Sequence, residues 1–340
     1  MRVAELRGPG SVAVDERDRP SPGRSELLVR VEACGVCATD HHLYTGALSA
    51  PYPLVPGHES VGEVVETGEG VERYGPGTRV AINPSVPCGE CAHCKRGAEN
   101  RCPDLRSIGG VAPRMSDGAF AEYVAVPAGN VEPVGDIPAA TAAFAEPLGC
   151  CVHALGRVDL APGDAVGVFG AGPIGLLLVD LLRTTGAGRI VVSEPVDGRR
   201  ERAREVGATA VVDPTAADPV EAMAGDDGVD LAVEAVGLEQ TLESAVAACG
   251  PGGTALVFGV PPEDASLSLD PFRVFSGELD LVGSYSLTPD SFARAVSLLR
   301  NGRIEPAGLV TGEYGLDDLP TAFEEMDRNE GLKKLVDPRR

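Results

Sequence analysis

The pattern of apolar and polar residues changes character part-way along the chain. Up to about residue 145, short alternating stretches such as SELLVRVEA, SVGEVVETG and GTRVAINP lie between Gly/Pro turns, a pattern typical of half-buried antiparallel strands. From about residue 160, apolar strands alternate with amphipathic segments: DAVGVF precedes PIGLLLVDLLRTTG, and GRIVVSE precedes DGRRERAREVGA. This alternation predicts a parallel sheet covered by helices on both faces.

The chain is long enough for two domains. Its 340 residues exceed what one hydrophobic core usually serves. We predict an α/β protein with a β-rich domain formed by residues 1–147 and 281–340 and a sheet-and-helix domain formed by residues 148–280. The segments TAVVD, VDLAVEAVG and GTALVFG add strands to the second domain, and SFARAVSLLRNGRI predicts a late amphipathic helix.

The charge of the chain excludes one class of partner. With 51 acidic and 29 basic residues the net charge is -22, whereas a protein that binds nucleic acid needs a positive face. Only three basic residues are lysines, Lys95, Lys333 and Lys334. An acidic, lysine-poor surface suits a protein in concentrated salt, but a genome that favours arginine codons gives the same composition, and both interpretations stay open.

The chain shows no feature that predicts a membrane or secreted location. The start, MRVAELRGPG, lacks the apolar segment of a secretory signal. The longest apolar run is interrupted by glycines and is too short to span a bilayer. Nine cysteines in clusters are typical of metal ligation in a reducing compartment, so we expect a cytoplasmic protein.

Four cysteines form one candidate metal site. They are separated by two, two and seven residues, and they are Cys88, Cys91, Cys94 and Cys102. Short CxxC steps let turns place consecutive thiolates on one tetrahedral zinc ion. An iron–sulfur cluster or oxidisable thiols are the alternatives. We predict a structural zinc lobe over residues 86–104, with His93 outside the ligand set.

A second candidate metal site is dispersed along the chain. Cys37 lies in GVCATDHH and His58 in GHESVGEVVETGEGV. A third ligand is available at Glu146 in AEPLGCCVHA, where Cys150 and Cys151 compete with it. Catalytic zinc takes three protein ligands and leaves one position open.

The second domain carries a candidate nucleotide site. The sequence Gly170-Ala171-Gly172-Pro173-Ile174-Gly175 follows a predicted strand and opens a predicted helix, where glycines let the backbone approach a pyrophosphate. Glu194, at the end of the next strand, would hold the ribose hydroxyls of NAD and repel the phosphate of NADP. Arg199 and Arg200 could accept that phosphate or be helix-surface charges. We favour NAD, with NADP possible.

These segments together carry a family resemblance. In GHESVGEVVETGEGV, in GVCATDHH and in the four-cysteine loop, the chain resembles the zinc-containing medium-chain alcohol and polyol dehydrogenases over essentially its whole length. The resemblance implies a GroES-like β-rich catalytic domain and a doubly wound Rossmann parallel-sheet domain. It also implies two zinc ions per subunit, a small-molecule alcohol or ketone substrate and a homo-oligomer, either tetramer or dimer.

The resemblance assigns roles to individual residues. Cys37, His58 and Glu146 would ligate the catalytic zinc, with Glu59 close by either as an alternate ligand or as a side chain just outside the ligand set. Asp40 would orient the imidazole of His58.

Proton transfer and cofactor contacts are implied in the same way. The hydroxyl of Thr39 would take the proton of the alcohol and His42 would release it to solvent. Arg199 would contact the ribose and Lys333 would face the cofactor. We expect His41 to be an exposed loop residue.

The function that follows is reversible oxidation of a secondary alcohol, such as a polyol or sugar alcohol, to a ketone with NAD(P). A threonine-type amino-alcohol dehydrogenase and a non-catalytic protein that retains the fold are the alternatives. The stretch Gly283-Ser284-Tyr285-Ser286-Leu287 lacks the arginine with which polyol dehydrogenases often hold substrate hydroxyls.

Overall fold

A computed structural model describes residues 1–225 and 227–340. The chain divides into two compact units, one made of Met1–Gly149 with Leu287–Arg340 and the other of Cys150–Ser286. The sequence analysis also proposed a first domain made of two segments, and its bounds stay a prediction. Residues 280–283, where the predicted boundary lies, form the last strand of the sheet of the second unit.

The strands are, in chain order, β1 (Arg2–Gly8), β2 (Ser11–Glu16), β3 (Glu26–Val36), β4 (Glu59–Thr67), β5 (Arg79–Ile82), β6 (Ser85–Val86), β7 (Arg106–Ile108), β8 (Arg114–Ser116), β9 (Tyr123–Pro127), β10 (Val131–Pro133), β11 (Ala165–Phe169), β12 (Arg189–Ser193), β13 (Ala210–Val212), β14 (Val229–Glu234), β15 (Cys249–Val257), β16 (Asp280–Gly283), β17 (Val310–Tyr314) and β18 (Lys333–Val336). The α-helices are α1 (Ala38–Thr45), α2 (Ala139–Ala142), α3 (Ala145–Leu155), α4 (Pro173–Thr185), α5 (Asp197–Val206), α6 (Pro219–Ala224), α7 (Glu239–Ala248), α8 (Pro271–Gly277), α9 (Pro289–Arg300) and α10 (Leu319–Asp327). Short 3-10 turns span Cys94–Arg96, Glu99–Arg101, Ala128–Asn130, Pro306–Leu309 and Leu316–Asp318.

The first unit is built on a seven-stranded sheet in the order β10-β5-β4-β3-β18-β17, with β9 also paired to β3. Alternate residues of β3, Leu27, Val29 and Val31, point into the apolar core of this unit, where Phe120 and Phe323 are also buried. The strands predicted from SELLVRVEA, SVGEVVETG and GTRVAINP are therefore confirmed as β3, β4 and β5.

Strand pairing brings distant residues to one end of this sheet. β3 pairs with β4 so that Gly35 lies opposite Glu59, and it pairs with β18 on its other side, where Leu335 lies opposite Gly35. Cys37 follows the end of β3, and Lys333 begins β18. The register therefore places parts of the chain almost 300 residues apart next to one another.

The four-cysteine loop forms a separate small lobe within the first unit. A three-stranded sheet, in the order β6-β7-β8, stands next to two 3-10 turns. The hydrophobic cluster of the lobe has three buried residues, Cys94, Cys102 and Leu105. Such a small apolar cluster stabilises little by itself, which is typical of a lobe that depends on a metal.

The second unit contains a six-stranded parallel sheet in the order β13-β12-β11-β14-β15-β16. The parallel sheet predicted from the apolar pattern is confirmed. The helix α4 begins at Pro173 after Gly172 and ends at Thr185. The next residue, Gly186, has a φ of 88°, the left-handed conformation that glycine adopts at helix ends.

The apolar pattern did not predict the short helices α6 and α8. Each begins with an Asp-Pro pair. At the start of α6 the side chain of Asp218 accepts a hydrogen bond from the N–H of Val220. At the start of α8 the side chain of Asp270 accepts one from the N–H of Phe272. Aspartate as the capping residue and proline in the first turn form a helix start signal. That signal was readable in the sequence.

None of the helices in the described part of the chain has the length and apolar character needed to cross a membrane.

Candidate metal and nucleotide sites

The four cysteines of the small lobe converge. The sulfur atoms of Cys88, Cys91, Cys94 and Cys102 all lie within 4.8 Å of one another. The Sγ atoms of Cys91 and Cys94 are 3.4 Å apart, and the backbone N–H groups of Cys91 and Cys94 donate to the sulfurs of Cys88 and Cys91, each at 3.4 Å. Amides that point at sulfur stabilise thiolates, so the donor set fits a tetrahedral zinc ion.

The thiols of this lobe have unequal pKa values. Backbone N–H groups of Glu90 and Cys91 lower the pKa of Cys88 to about 7. Burial, followed by the neighbouring Cys91, raises the pKa of Cys94 to about 12. Four adjacent sulfurs do not ionise together unless a cation neutralises them. The lobe is therefore suited to a divalent ion.

A second group of metal-binding side chains lies at the end of the main sheet of the first unit. Ligand atoms of Cys37, His58 and Glu59 lie within 4.8 Å of one another. Cys37 precedes α1, and its N–H donates to Oδ2 of Asp40 at 2.9 Å. Oδ1 of the same buried carboxylate accepts the N–H of Gly57 at 3.1 Å and lies 3.5 Å from Nδ1 of His58. Asp40 thus fixes both segments that carry the cluster.

The electrostatics of this cluster favour a cation. Burial by itself lowers the pKa of His58, but the carboxylate of Asp40 and the side chain of Cys37 act in the opposite direction, and the net pKa lies well above the usual value. Surroundings that stabilise a proton on this imidazole also stabilise a metal ion between the same groups. A thiolate, an imidazole and a carboxylate form a donor set that zinc accepts.

Glu59 has a cationic partner as well. Its carboxylate pairs with the ammonium of Lys333, and both side chains are almost completely buried, with 2% and 5% of their surface exposed. Gly35 allows this contact, because a Cβ at that position would collide with Glu59 and lie 2.7 Å from Cε of Lys333. Lys333, predicted from the resemblance to face the cofactor, therefore contacts the metal cluster; its role towards a cofactor stays a prediction.

Glu146 lies in the first turn of α3 and is half-buried. The cluster within 4.8 Å contains Glu59 as its carboxylate, and Glu146 does not belong to it among the described residues. Cys150 is half-buried and Cys151 buried on the same helix. The assignment of Glu146 as the third zinc ligand stays a prediction.

The helix α1 carries the predicted proton path. Thr39 and His42 are three residues apart and both half-buried, so they share one face of the helix. Burial, with a smaller contribution from His41, lowers the pKa of His42.

The structure corrects the expectation for His41. It belongs to α1 and is half-buried, with Nε2 2.9 Å from Oδ1 of Asp327 and the ring edge-on to Phe323 at a centroid distance of 5.9 Å. The helix that begins after Cys37 turns this residue towards α10, so it is a packed residue.

The glycine-rich turn of the second unit has the expected local structure. Gly170 has a φ of 98°, a conformation that residues with a side chain rarely adopt. Gly172 caps α4 at its start, and open space surrounds the position where its Cβ would be. Pro173 and Ile174 begin the helix, and Gly175 packs directly on the carbonyl of Gly170. Backbone amides at the start of α4 are thus accessible to an anion such as a pyrophosphate.

Glu194 follows β12 and lies next to this turn. Its Oε2 accepts the N–H of Ala171 at 2.8 Å and its Oε1 accepts the N–H of Val196 at 3.0 Å. The residue is only 4% exposed. Each carboxylate oxygen retains a lone pair, so the group is fixed in place and can still accept hydrogen bonds from a ribose.

Comparisons with known proteins agree with this geometry. The family model for the alcohol dehydrogenase GroES-like domain matches residues 23–136, and the family model for zinc-binding dehydrogenase matches residues 173–301. D-arabinitol dehydrogenase 1 from Uromyces fabae is 33% identical over 99% of this chain and 97% of its own. L-threonine 3-dehydrogenase from Pyrococcus abyssi is 35% identical over 92% of this chain and 90% of its own. A zinc-binding dehydrogenase from Sinorhizobium meliloti, solved bound to NADP, is 37% identical with a TM-score of 0.95 and 99% coverage of both chains.

The chain belongs to the zinc-binding alcohol dehydrogenase family.

This dehydrogenase is a zinc-dependent, NAD(P)-linked enzyme that acts on alcohols. Its fold is a GroES-like domain combined with a Rossmann domain. When bound, zinc supplies Lewis acidity that lowers the pKa of an alcohol, and the nicotinamide dinucleotide supplies a two-electron acceptor. The residues that fit these groups are those of the two metal clusters and of the turn at Gly170.

Two contacts of the dehydrogenase were missed by the sequence interpretation. One is the buried pair of Glu59 and Lys333; the rarity of lysine in this chain was its only signal. The other is made by Arg200, whose guanidinium contacts the carbonyl oxygens of Glu194 and Pro195. Both contacts form only when the tertiary structure brings the partners together, and the identity of a lysine or an arginine does not predict which group it will contact.

Proposed function

We propose that this dehydrogenase oxidises a secondary hydroxyl of a polyol, sugar alcohol or related hydroxylated compound to a ketone. The observation that carries the proposal is the buried cluster of Cys37, His58 and Glu59 in a chain that is similar over its whole length to a sugar-alcohol dehydrogenase. Two zinc ions per subunit would occupy the two clusters, with Glu146 as a further ligand of the first.

The proton leaves along α1 in this proposal. The hydroxyl oxygen of Thr39 accepts it from the alcohol while the hydroxyl's own hydrogen passes to His42, which releases a proton to solvent. Because burial lowers the pKa of His42, its imidazole is neutral at pH 7 and is available as a proton acceptor. Asp40 acts as a positioning residue that holds Cys37 and the backbone before His58.

The substrate class is tested by NADH formation with a panel of alcohols. D-arabinitol, sorbitol, 2-butanol and L-threonine separate polyols from simple alcohols and from amino alcohols. Highest kcat/KM on a polyol supports the proposal. Preference for L-threonine would support the amino-alcohol alternative instead. Turnover on none of these by the wild-type protein would favour a non-catalytic protein.

We propose NAD as the preferred cofactor. The support is the fixed carboxylate of Glu194, which would accept the ribose hydroxyls and repel a 2′-phosphate. Exchange of Glu194→Ser should raise kcat/KM for NADP relative to NAD, because the repulsion disappears. The matched control is Glu201→Ser, which removes the same charge from an exposed position of α5. A wild-type enzyme with the higher kcat/KM for NADP, the cofactor bound to the relative from Sinorhizobium meliloti, would refute the proposal.

We propose that the dehydrogenase forms a homo-oligomer, either a dimer or a tetramer, through the edge of the parallel sheet. β16 is the outermost strand of that sheet. Leu281 on this strand is 48% exposed, and Phe272 and Phe275 on α8 are 71% and 79% exposed. Residues 281–289 carry no charge in a chain of net charge -22, so this stretch itself adds no charge repulsion against a second copy.

Light scattering after size exclusion tests this surface. Leu281→Lys should shift the protein towards the monomer, and Val111→Lys, at an exposed apolar residue of the first unit, should not. An unchanged mass for Leu281→Lys would show that copies meet elsewhere.

We propose a cytoplasmic location. Cys88, Cys91, Cys94 and Cys102 converge as candidate metal ligands, a use of cysteine that is typical of a reducing compartment. Fractionation of the source cells tests this location.

A further inference from the structure

Arg200 makes an unusual number of contacts with the turn that carries Glu194. Its Nη1 donates to the carbonyl oxygens of Glu194 and Pro195, each at 2.7 Å. Its Nη2 lies 3.1 Å from Oδ1 of Asp197 and 3.3 Å from Oδ2 of Asp213. The side chain is only 12% exposed. The guanidinium therefore joins both sides of the turn between β12 and α5 to the end of β13.

These contacts exclude one role that the sequence allowed. A guanidinium that receives a cofactor phosphate needs N–H groups that face solvent. Nη1 and Nη2 of Arg200 face two carbonyls and two carboxylates, and Asp213 stays ionised because the hydroxyl and the N–H of Thr215, together with Arg200, lower its pKa. Arg200 is neutralised where it lies, so it is not the acceptor of a 2′-phosphate.

We propose that Arg200 is a positioning residue for dinucleotide recognition, and that through Glu194 it sets the discrimination between NAD and NADP. The inference rests on the proposed role of Glu194.

Glu194 is held from two directions. The amides of Ala171 and Val196 hold its carboxylate, and Arg200 holds its carbonyl. A carboxylate fixed before the ligand arrives accepts the ribose hydroxyls without loss of side-chain freedom, which increases affinity for NAD. The same rigidity prevents the carboxylate from turning away from a 2′-phosphate.

The test measures cofactor binding directly. NADH and NADPH are titrated against Arg200→Lys, Arg200→Met and the wild-type protein, with the fluorescence of the bound cofactor as the readout. The chain has no tryptophan, so protein emission interferes little. Lysine retains the charge but cannot span two carbonyls and two carboxylates. The matched control is Arg202→Met, which removes an arginine of the same helix whose partner is Glu205.

In both Arg200 variants the Kd for NADH should rise by about tenfold, the effect of weakened hydrogen bonds to a charged group. The Kd for NADPH should change much less, so that the ratio of the two constants falls. The KM for NAD should rise while kcat at saturating NAD stays near the wild-type value. Arg202→Met should retain the wild-type constants.

Two results would overturn the proposal. Equal changes in both constants, or none, would make Arg200 a purely structural residue, even if the melting temperature falls. Selective weakening of NADPH would make it the phosphate acceptor after all. The ratio of the Kd values for NADPH and NADH in the wild-type protein tests the proposed NAD preference. The change of that ratio in the Arg200 variants tests the role of Arg200, so the two failures are distinguishable.

Discussion

The buried pair of Lys333 and Glu59 gives the most quantitative prediction. Exposed ion pairs contribute about 0–1 kcal/mol, whereas removal of one partner from a buried pair costs about 3–5 kcal/mol because the other charge is left without compensation. Lys333 and Glu59 form a buried pair, because only 5% and 2% of their side-chain surfaces are exposed. In protein stripped of metal, Lys333→Met should therefore cost about 3–5 kcal/mol of stability, with the carboxylate of Glu59 left unpaired.

The expected effect is large enough for a melting curve. A loss of this size corresponds to a fall of roughly 6–20 °C at about 2–4 °C per kcal/mol for a domain of this class. The double variant Lys333→Met/Glu59→Gln should recover most of it, because no unpaired charge remains. The control is Arg294→Met, which breaks an exposed pair with Asp290 and should cost below about 1 kcal/mol.

The pH of the measurement follows from the pKa of Lys333. Burial is the largest influence and lowers that pKa, but Glu59, Cys37 and Asp40 together raise it by more, and the net pKa in the folded protein lies above its usual value. A group with a raised pKa contributes its full stability below the unfolded pKa of about 10.4 and loses it as the pH rises through the folded value. Circular dichroism at pH 7 therefore observes the whole effect. A loss below about 1 kcal/mol for Lys333→Met, or no recovery in the double variant, would refute the reasoning.

The remaining predictions concern zinc and salt. Metal analysis of the purified enzyme should find two zinc ions per subunit, one at each cluster. Cys37→Ser should lose one ion and all turnover while the melting temperature stays near that of the wild type; full activity in this variant would exclude the catalytic assignment. Cys94→Ser should lose the other ion and lower the melting temperature, since structural zinc contributes folding free energy; Cys249→Ser, at a buried thiol outside both clusters, should retain both ions. Raising KCl should raise the melting temperature, because carboxylate repulsion that extends over about 30 Å at 0.01 M is confined to about 3 Å at 1 M. A flat or falling curve would make the charge of -22 a matter of composition alone.

Local signals were sufficient for much of the site. The spacing of the four cysteines predicted their convergence, because a short turn brings consecutive thiols together whatever surrounds it. The glycines at 170, 172 and 175 likewise predicted a strand-to-helix turn from a local pattern, and α4 begins where expected. The positions of β11 to β15 and of α4 and α5 followed from periodicity, since buried parallel strands are almost wholly apolar and the two helices are amphipathic.

Contacts between distant segments were not predictable in this way. His41 is a polar residue in a polar stretch, and only the packing of α1 against Phe323 and Asp327 makes it half-buried. The strand formed by DLVG was not predicted, because four residues are too few to signal a strand until they pair with β15.

By itself, the sequence determined which ligands this protein offers: the cysteines, the histidine and the glycine turn are chemically specific and locally spaced. The tertiary structure decided which charges meet. Strand register brought Lys333 to Glu59, and the crossover from β12 through α5 to β13 brought Arg200 to Asp213. The physical reason is that charge pairing acts over a few ångströms and is indifferent to sequence separation, so partners become definite only when the sheet fixes the backbone.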